Sequence, residues 1–270
     1  MNLHNQKPMF HAPSYLTNRH GMSGLPHAHQ TGRHVIDSPL PATDTILIEK
    51  SDFSIRIADT QGRKNQVSAL INQMYSWRGY QLDASEPRCC PNQTTLQACR
   101  EADTLGTLSL NVDSKGGLLA DELYHKEVDT LRKRGGTVCE LTGLAVSTRL
   151  GSNELLAALF HLLHILGRCL HRATDAVIEV NPRHSLYYQR ILGFRQIGER
   201  KICERVNAPA VLLHVETDFV EEQISRYAGR RKQAEHSLYP YFFSRLETEN
   251  LCHRILEMSH LLPVSHLLRN

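Results

Sequence analysis

The sequence predicts a mixed α/β fold, a sheet flanked by helices with a helical C-terminal extension. Three observations carry that prediction. Segments alternating apolar and polar residues interleave with segments of helical period. The stretch from Cys139 to Phe194 reads strand, glycine turn, apolar helix, strand and second helix. The first helix of that stretch is apolar almost all round, the mark of a buried helix.

The bulk numbers exclude several classes. The chain has 270 residues, 41% hydrophobic and 22% charged, enough for a core. No run of about 18 apolar residues is free of polar interruption, so no transmembrane segment is expected. The best candidate, Leu155 to Leu166, carries His161 and His164. The N-terminus lacks a basic start followed by an apolar block, so no leader is expected. The seven cysteines follow no framework spacing, which predicts reduced thiols and a cytoplasmic location. A net charge of +3, with no basic stripe interleaved with aromatics, predicts no nucleic-acid partner.

Taken in order, residues 1–42 mix His, Pro, Gly, Asn and Ser without an apolar period and predict a disordered His-rich arm. Its histidines (His4, His11, His20, His27, His29, His34) repeat no ligand spacing, so no metal is expected. Residues 43–216 are expected to form the main domain and 217–270 a helical extension packed on it. Ser54 to Ala58 alternates as a strand. Gln66 to Trp77 puts Val67, Leu70, Ile71 and Met74 on one helical face, and Gly79 suits a left-handed end. Ser85 to Arg100 is polar, holds Pro87 and Pro91, and reads as a loop. Leu105 to Asp113 reads as a strand, 114–117 as a turn, and Asp121 to Arg134 as a helix stopped by Gly135 and Gly136.

Thr137 to Val146 is an apolar strand with one charge, Glu140. Gly151-Ser152-Asn153 opens the apolar helix, which runs to about Leu170, with Glu154 and Arg168 matching its dipole. Ala176 to Val180 is a strand and Arg183 to Leu192 a helix. Phe194 to Ile197 and Ala210 to Val215 are strands. From Asp218 the pattern is helical, broken at Pro240 and Pro263.

The chemistry starts at the glycine turn. Arg149, Gly151, Ser152 and Asn153 present backbone N–H groups and one guanidinium to a phosphate. Taken alone, the same turn reads rather as an ordinary strand–helix turn with a Ser or Asn N-cap, and its position before Asn181 to Phe194 reverses that. Tyr187 and Tyr188 lie on the next helix, just before Gly193-Phe194, and a tyrosine can protonate a leaving thiolate. These are parts for moving an acyl group off a phosphopantetheine thioester. A lone carboxylate on an apolar strand is costly unless it is paired or catalytic. Glu140 therefore has two readings: it handles a substrate amine, as base or ammonium holder, or it pairs with an arginine.

This order of elements resembles the GNAT acyltransferase superfamily. The resemblance implies a strand that splays from its neighbour and offers N–H groups near Leu144, Ala145 and Val146 to the thioester carbonyl. It also implies an acid tyrosine, with Tyr188 preferred and Tyr187 a core aromatic. Asn153 stands where the usual turn has a second small residue. That favours the single phosphodiester of an acyl carrier protein over coenzyme A.

Six blocks narrow the match: Tyr75-Ser-Trp-Arg-Gly-Tyr80, Gly117-Leu-Leu-Ala-Asp121, Cys139-Glu-Leu-Thr-Gly-Leu-Ala-Val146, Ile178-Glu-Val-Asn-Pro-Arg-His184, Arg205-Val-Asn-Ala-Pro-Ala-Val211 and Ser237-Leu-Tyr-Pro-Tyr-Phe-Phe243. They resemble the bacterial long-chain N-acyl amino acid synthases, which are similar in fold to acyl-homoserine-lactone synthases. The family implies a long-chain acyl group passed from the 4'-phosphopantetheine of acyl carrier protein to an amino acid's α-amine, tyrosine being a familiar acceptor. It implies no metal and no permanently bound cofactor. In lactone synthases an arginine follows the glutamate by three residues. Gly143 stands there here, which argues against a lactone product and an S-adenosylmethionine substrate.

Arg78, in the segment that covers the cleft of related synthases, is expected to meet the acceptor's carboxylate, or else to be a solvated helix-end arginine. Tyr80, Glu179 and His184 are expected at the acceptor site with Arg183, His184 being a rival base. Arg132-Lys133-Arg134 and Arg230-Arg231-Lys232 are solvated faces or docking points for the acidic carrier protein. His161 and His164 are expected to be core histidines. Two rival readings are a coenzyme A donor and a non-catalytic binder of acyl groups.

Overall fold

A computed structural model describes residues 46–80, 92–147, 152–230 and 236–258. The chain runs β1 (Ile46–Glu49), β2 (Ser54–Ile57), α1 (Gln61–Trp77), β3 (Gln93–Arg100), β4 (Asp103–Val112), α2 (Asp121–Lys133), β5 (Val138–Val146), α3 (Asn153–His171), β6 (Asp175–Val180), α4 (Pro182–Leu192), β7 (Arg195–Gln196), β8 (Lys201–Cys203), β9 (Ala208–Glu216), α5 (Thr217–Tyr227) and α6 (Arg245–Glu257). The sheet order is β1-β2-β3-β4-β5-β6-β9-β7, with β8 added to β9. Among the described strands, only β5 and β6 pair in parallel, because α3 carries the chain across between them. This is the GNAT acyltransferase fold, a mixed sheet with helices on both faces.

Sequence alternation decides which face each strand residue serves. Cys139 and Leu141 of β5 join the core under α3. Val138 faces α2 and packs with Tyr124, Val128 and Leu131. Ala145 faces α1 and packs with Leu70 and Met74. α3 buries Leu155, Leu159, Leu162, Leu163, Ile165 and Leu166 almost completely, and each such side chain contributes roughly 1.5–3 kcal/mol relative to exposure. Ser152 caps it, accepting from Leu155 N at 3.1 Å. α3 is long and apolar enough to cross a membrane by length and composition, but 61% of its apolar window is buried, as in a core helix. The C-terminal segment completes this core: Leu238, Phe242 and Phe243 precede α6, which adds Leu251 and Ile255.

Three expectations are corrected. The stretch read as a loop up to Arg100 contains β3, a strand between β2 and β4. Its polar residues misled the reading. Gln97 is fully buried but bonds through Nε2 to Gln66 Oε1 and Thr104 Oγ1, both at 2.8 Å. α1 begins at Gln61, five residues before the apolar period, because Thr60 accepts from Arg63 N and caps it there. The thiols are not all reduced: Cys169 of α3 and Cys252 of α6 form a disulfide across 83 residues of chain. Helix packing brings them together, and spacing gave no sign of it. The expected arm, 1–42, and Pro263 lie outside the described residues.

Candidate active site

The sheet opens where β5 leaves β6. Pairing covers only Val138 to Leu141 against Asp175 to Ile178. From Thr142 to Val146, β5 continues beside β4 alone. Gly143, at φ +64°, sits where the β4–β5 register slips by one residue. That bulge, which a glycine accommodates without strain, bends β5 away from β6. Beyond it, Ser147 N donates to Leu105 O at 2.7 Å. By antiparallel alternation Ala145 also turns its N–H towards β4, whereas Val146 turns its own into the opening. Of the expected donors, Val146 therefore faces the opening and Ala145 serves the sheet. Leu144 lies within the bulge. Arg149 and Gly151 lie outside the described residues. Ser152 spends its hydroxyl on the helix cap, and Asn153 is the exposed first residue of α3.

Tyr188 reaches the opening from α4. It packs edge-on against Phe160 of α3, at 6.4 Å between centroids, and against Tyr187 at 5.5 Å. Burial, then Tyr75 and Tyr187, push its phenol well above the usual tyrosine range, so it holds its proton at neutral pH. Among the described residues its hydroxyl has no hydrogen-bond partner. Tyr187 is half exposed rather than a core aromatic.

The end of α1 closes over the same place. Arg78 donates to Met74 O at 3.4 Å and lies over the Trp77 ring. Arg78 also bears electrostatically on Tyr188 and His184. Tyr80 Oη accepts from Arg183 Nη2 at 2.8 Å, and Arg183 Nε donates to His184 Nε2 at 3.1 Å. Burial, Arg183 and Arg78 lower the His184 pKa and keep the ring neutral, but its Nε2 lone pair is already engaged. Arg78, Tyr80, Arg183, His184 and Tyr188 thus form one cluster.

Glu140 forms a second cluster, on the α1/α2 face. It is 1% exposed. Oε2 accepts from Leu119 N at 2.8 Å, and the Ala120 N–H also bonds the carboxylate. These donors precede α2, whose N-cap, Ala120, has no capping side chain of its own. A glutamate from a strand thus supplies the missing cap. Burial raises its pKa to about 7, with Glu179 adding to the rise and the two N–H groups and Arg205 opposing it. Among the described residues, Glu140 has neither a direct arginine pair nor contact with Tyr188. Arg205 instead holds Glu179 Oε1 at 2.8 Å and Glu122 Oε2 at 2.7 Å. Next to Glu140, Asn111 Nδ2 donates to Thr142 Oγ1 at 3.3 Å.

On the other face, beneath α3, lies an apolar cavity of about 50 Å³, partly open to solvent. Its lining includes Leu141, Phe160, Leu163, Tyr239 and Phe242. The sequence reading missed these residues, because a lining residue and a core residue share the same apolar pattern. The block from Ser237 to Phe243 was singled out without a role. Here it walls the cavity, with Tyr239 Oη donating to Leu192 O at 2.7 Å and Phe243 N donating to His161 Nδ1 at 3.0 Å. His161 is buried between the Phe242 and Phe243 rings, as expected of a core histidine. The Arg132 cluster is not a free basic face: Arg132 is tied to Asp113, Asp121 and Asp129. Among the described residues, Asp121, His125 and Asp129 could approach a metal ion, but that guanidinium already neutralises the two carboxylates.

The family described as N-acyl amino acid synthase FeeM matches residues 66–216. The solved structure of FeeM, an N-acyl amino acid synthase from uncultured soil microbes, is 25% identical, with a TM-score of 0.56 over 67% of this chain and 96% of that one. An acyl-CoA N-acyltransferase from Pseudomonas aeruginosa is 18% identical, with a TM-score of 0.40 over 60% and 97%. The AHL synthase LasI is 10% identical, with a TM-score of 0.45 over 61% and 90%. No curated protein sequence matches the chain.

Proposed function

We propose, from the premise that the chain belongs to the N-acyl amino acid synthase FeeM family, that this acyltransferase moves a long-chain fatty acyl group from acyl carrier protein to the α-amine of an amino acid, tyrosine being a candidate acceptor. The observation that carries the proposal is the opening of β5 from β6 after Leu141, a residue that also lines the apolar cavity. The acyl chain enters that cavity past Leu141 and Phe160. The pantetheine arm follows the far end of β5 towards the turn at Arg149, Gly151, Ser152 and Asn153.

The amine nitrogen attacks the thioester carbonyl, and the oxyanion that develops meets the N–H of Val146 and the bulge at Leu144. Collapse breaks the C–S bond, and the Tyr188 phenol protonates the departing sulfur. The ammonium sheds one proton to solvent before it attacks, and the adduct nitrogen sheds a second through water to Glu140, which releases it to solvent; a pKa near 7 suits that base at neutral pH. Bulk solvent returns a proton to Tyr188. Arg78, with Arg183 and Tyr80, holds the acceptor's carboxylate at the cleft rim.

Glu140 approaches the opening from the α2 side of the sheet, and Tyr188 approaches it from α4, beside Phe160 of α3. The test is mass spectrometry of purified enzyme with acyl carrier protein loaded with long chains, each amino acid in turn, and acyl-coenzyme A as the alternative donor. An N-acyl amino acid formed from the carrier protein supports the reading. Turnover with coenzyme A alone overturns the donor assignment, and no amide from either donor overturns the synthase.

A further inference from the structure

We propose that Gly167 sets the length of the acyl chain that the cavity admits. The inference rests on the reading that this cavity holds the chain. One face of α3, Phe160, Leu163, His164 and Gly167, runs along the cavity at helical spacing. Phe160, packed against Tyr188, marks the end of the cavity nearest the opening of β5. Gly167 is about 10 Å further along the helix, two turns away from that end.

The sheet side gives the same order independently. Leu141 is the last β5 residue paired with β6, and Cys139 lies two residues deeper, paired with Ala176. At that depth the wall is made of small residues, Gly167, Ala173 and Ala176.

Glycine inside a helix is unfavourable, so something must favour it at this position. The backbone does not require it, since Gly167 is not among the positive-φ glycines. Neither does crowding. A Cβ there would lie 3.5 Å from Ala173 Cβ and 3.9 Å from both Cys139 Sγ and Leu110 Cδ2, ordinary contacts. The protein has room for alanine at 167, and the glycine leaves that room to a ligand. The floor beyond is firm. Thr217 Oγ1 donates to Ala173 O at 2.8 Å, and Arg168 Nη1 donates to both Ala173 O and Thr217 Oγ1.

The test compares wild type, Gly167→Ala and Gly167→Leu in two assays. The first is binding of a ladder of saturated fatty acids. The second is the chain-length profile of the amide product from carrier protein loaded with the same ladder. Wild-type affinity rises about fourfold per added methylene until the chain reaches the floor. In Gly167→Leu the rise stops at a shorter chain, and the best wild-type ligand binds about tenfold or more weakly. Shorter chains bind as before, and Gly167→Ala falls between. If Gly167→Leu does not fold, Gly167→Ala carries the test. Unchanged length dependence in a folded variant overturns the proposal even if amide forms normally. A length shift in binding without amide product overturns the synthase reading and leaves the role of Gly167 standing.

Discussion

Replacing Glu140 by glutamine tests the second cluster through its pH dependence. The folded protein raises this carboxyl from 4.5 to about 7, chiefly by burial. Between those values the native state keeps the proton and the unfolded chain releases it. Stability therefore falls as pH rises through the interval, the native state binding more protons. At about 1.4 kcal/mol per pH unit, the interval corresponds to about 3 kcal/mol. Glutamine removes the titration but offers the Leu119 and Ala120 N–H groups one acceptor oxygen where the carboxylate offers two. That mismatch costs roughly 1–3 kcal/mol at every pH. The variant should thus be less stable than wild type near pH 5 and match or exceed it near pH 8. Urea unfolding across that range, plotted as the difference between the two proteins, measures it. A difference that stays flat would mean that Glu140 does not carry the raised pKa. The same pKa should appear as an acidic limb near 7 in kcat/KM for wild type, absent from the variant's residual activity.

Three further outcomes follow from the geometry. Tyr188→Phe keeps the ring against Phe160 and loses the proton donor, so kcat should fall about 10²–10⁴-fold with little change in KM for the donor; a donor with a more acidic thiol should recover part of the loss, and equal loss with both donors would remove Tyr188 from acid duty. Gly193→Ala should lower stability by about 1–3 kcal/mol, read as a drop in Tm: Gly193 has φ +77°, and its Cβ would strike the Phe219 ring. Arg205→Met leaves Glu179, whose side chain is 11% exposed, facing Glu140 without its cation; we expect a loss of about 2–4 kcal/mol at pH 8 that shrinks towards pH 5, and a pH-independent loss would mean packing alone.

The fold was legible where period and caps agree. α3, β5 and α4 follow from an unbroken apolar helix, an apolar strand and a proline-started helix ending at Gly193. β3 was not, because its buried Gln97 bonds through Nε2 to Gln66 of α1 and Thr104 of β4, partners in other elements that a local reading cannot see. For the site, the resemblance led to the Tyr188 cluster, and the structure brings Arg78, Tyr80 and His184 to it. Glu140 stood out by its isolated charge, yet its partners, Leu119 and Ala120, are backbone groups of another element and leave no mark on composition. The cavity was illegible for a similar reason. Leu163 in a wall and Leu162 in the core are the same letter, and only tertiary packing separates them.

On the proposed reading, the opening of β5 lets one sheet serve two incompatible solvents. A fatty chain gains about 0.8 kcal/mol per buried methylene only where no polar group competes. An ammonium needs acceptors and tolerates no dry surroundings. Across an unbroken strand, alternate residues keep these needs apart: Cys139 and Leu141 line the apolar cavity, while Glu140 and Thr142 face the polar side. Separation alone would also keep the reactants apart. The bulge at Gly143 resolves the conflict, because the extra residue shifts the alternation where β5 has lost its neighbour β6. Backbone N–H groups are exposed at that point, and the two faces communicate through the gap rather than around the sheet. Any side chain at 143 would have to adopt the left-handed conformation and would meet Ile71 Cδ1 at 3.4 Å. Gly143→Val should therefore impair turnover with either donor while leaving fatty-acid binding in the cavity intact. Loss of both together would place the effect in the core rather than at the junction.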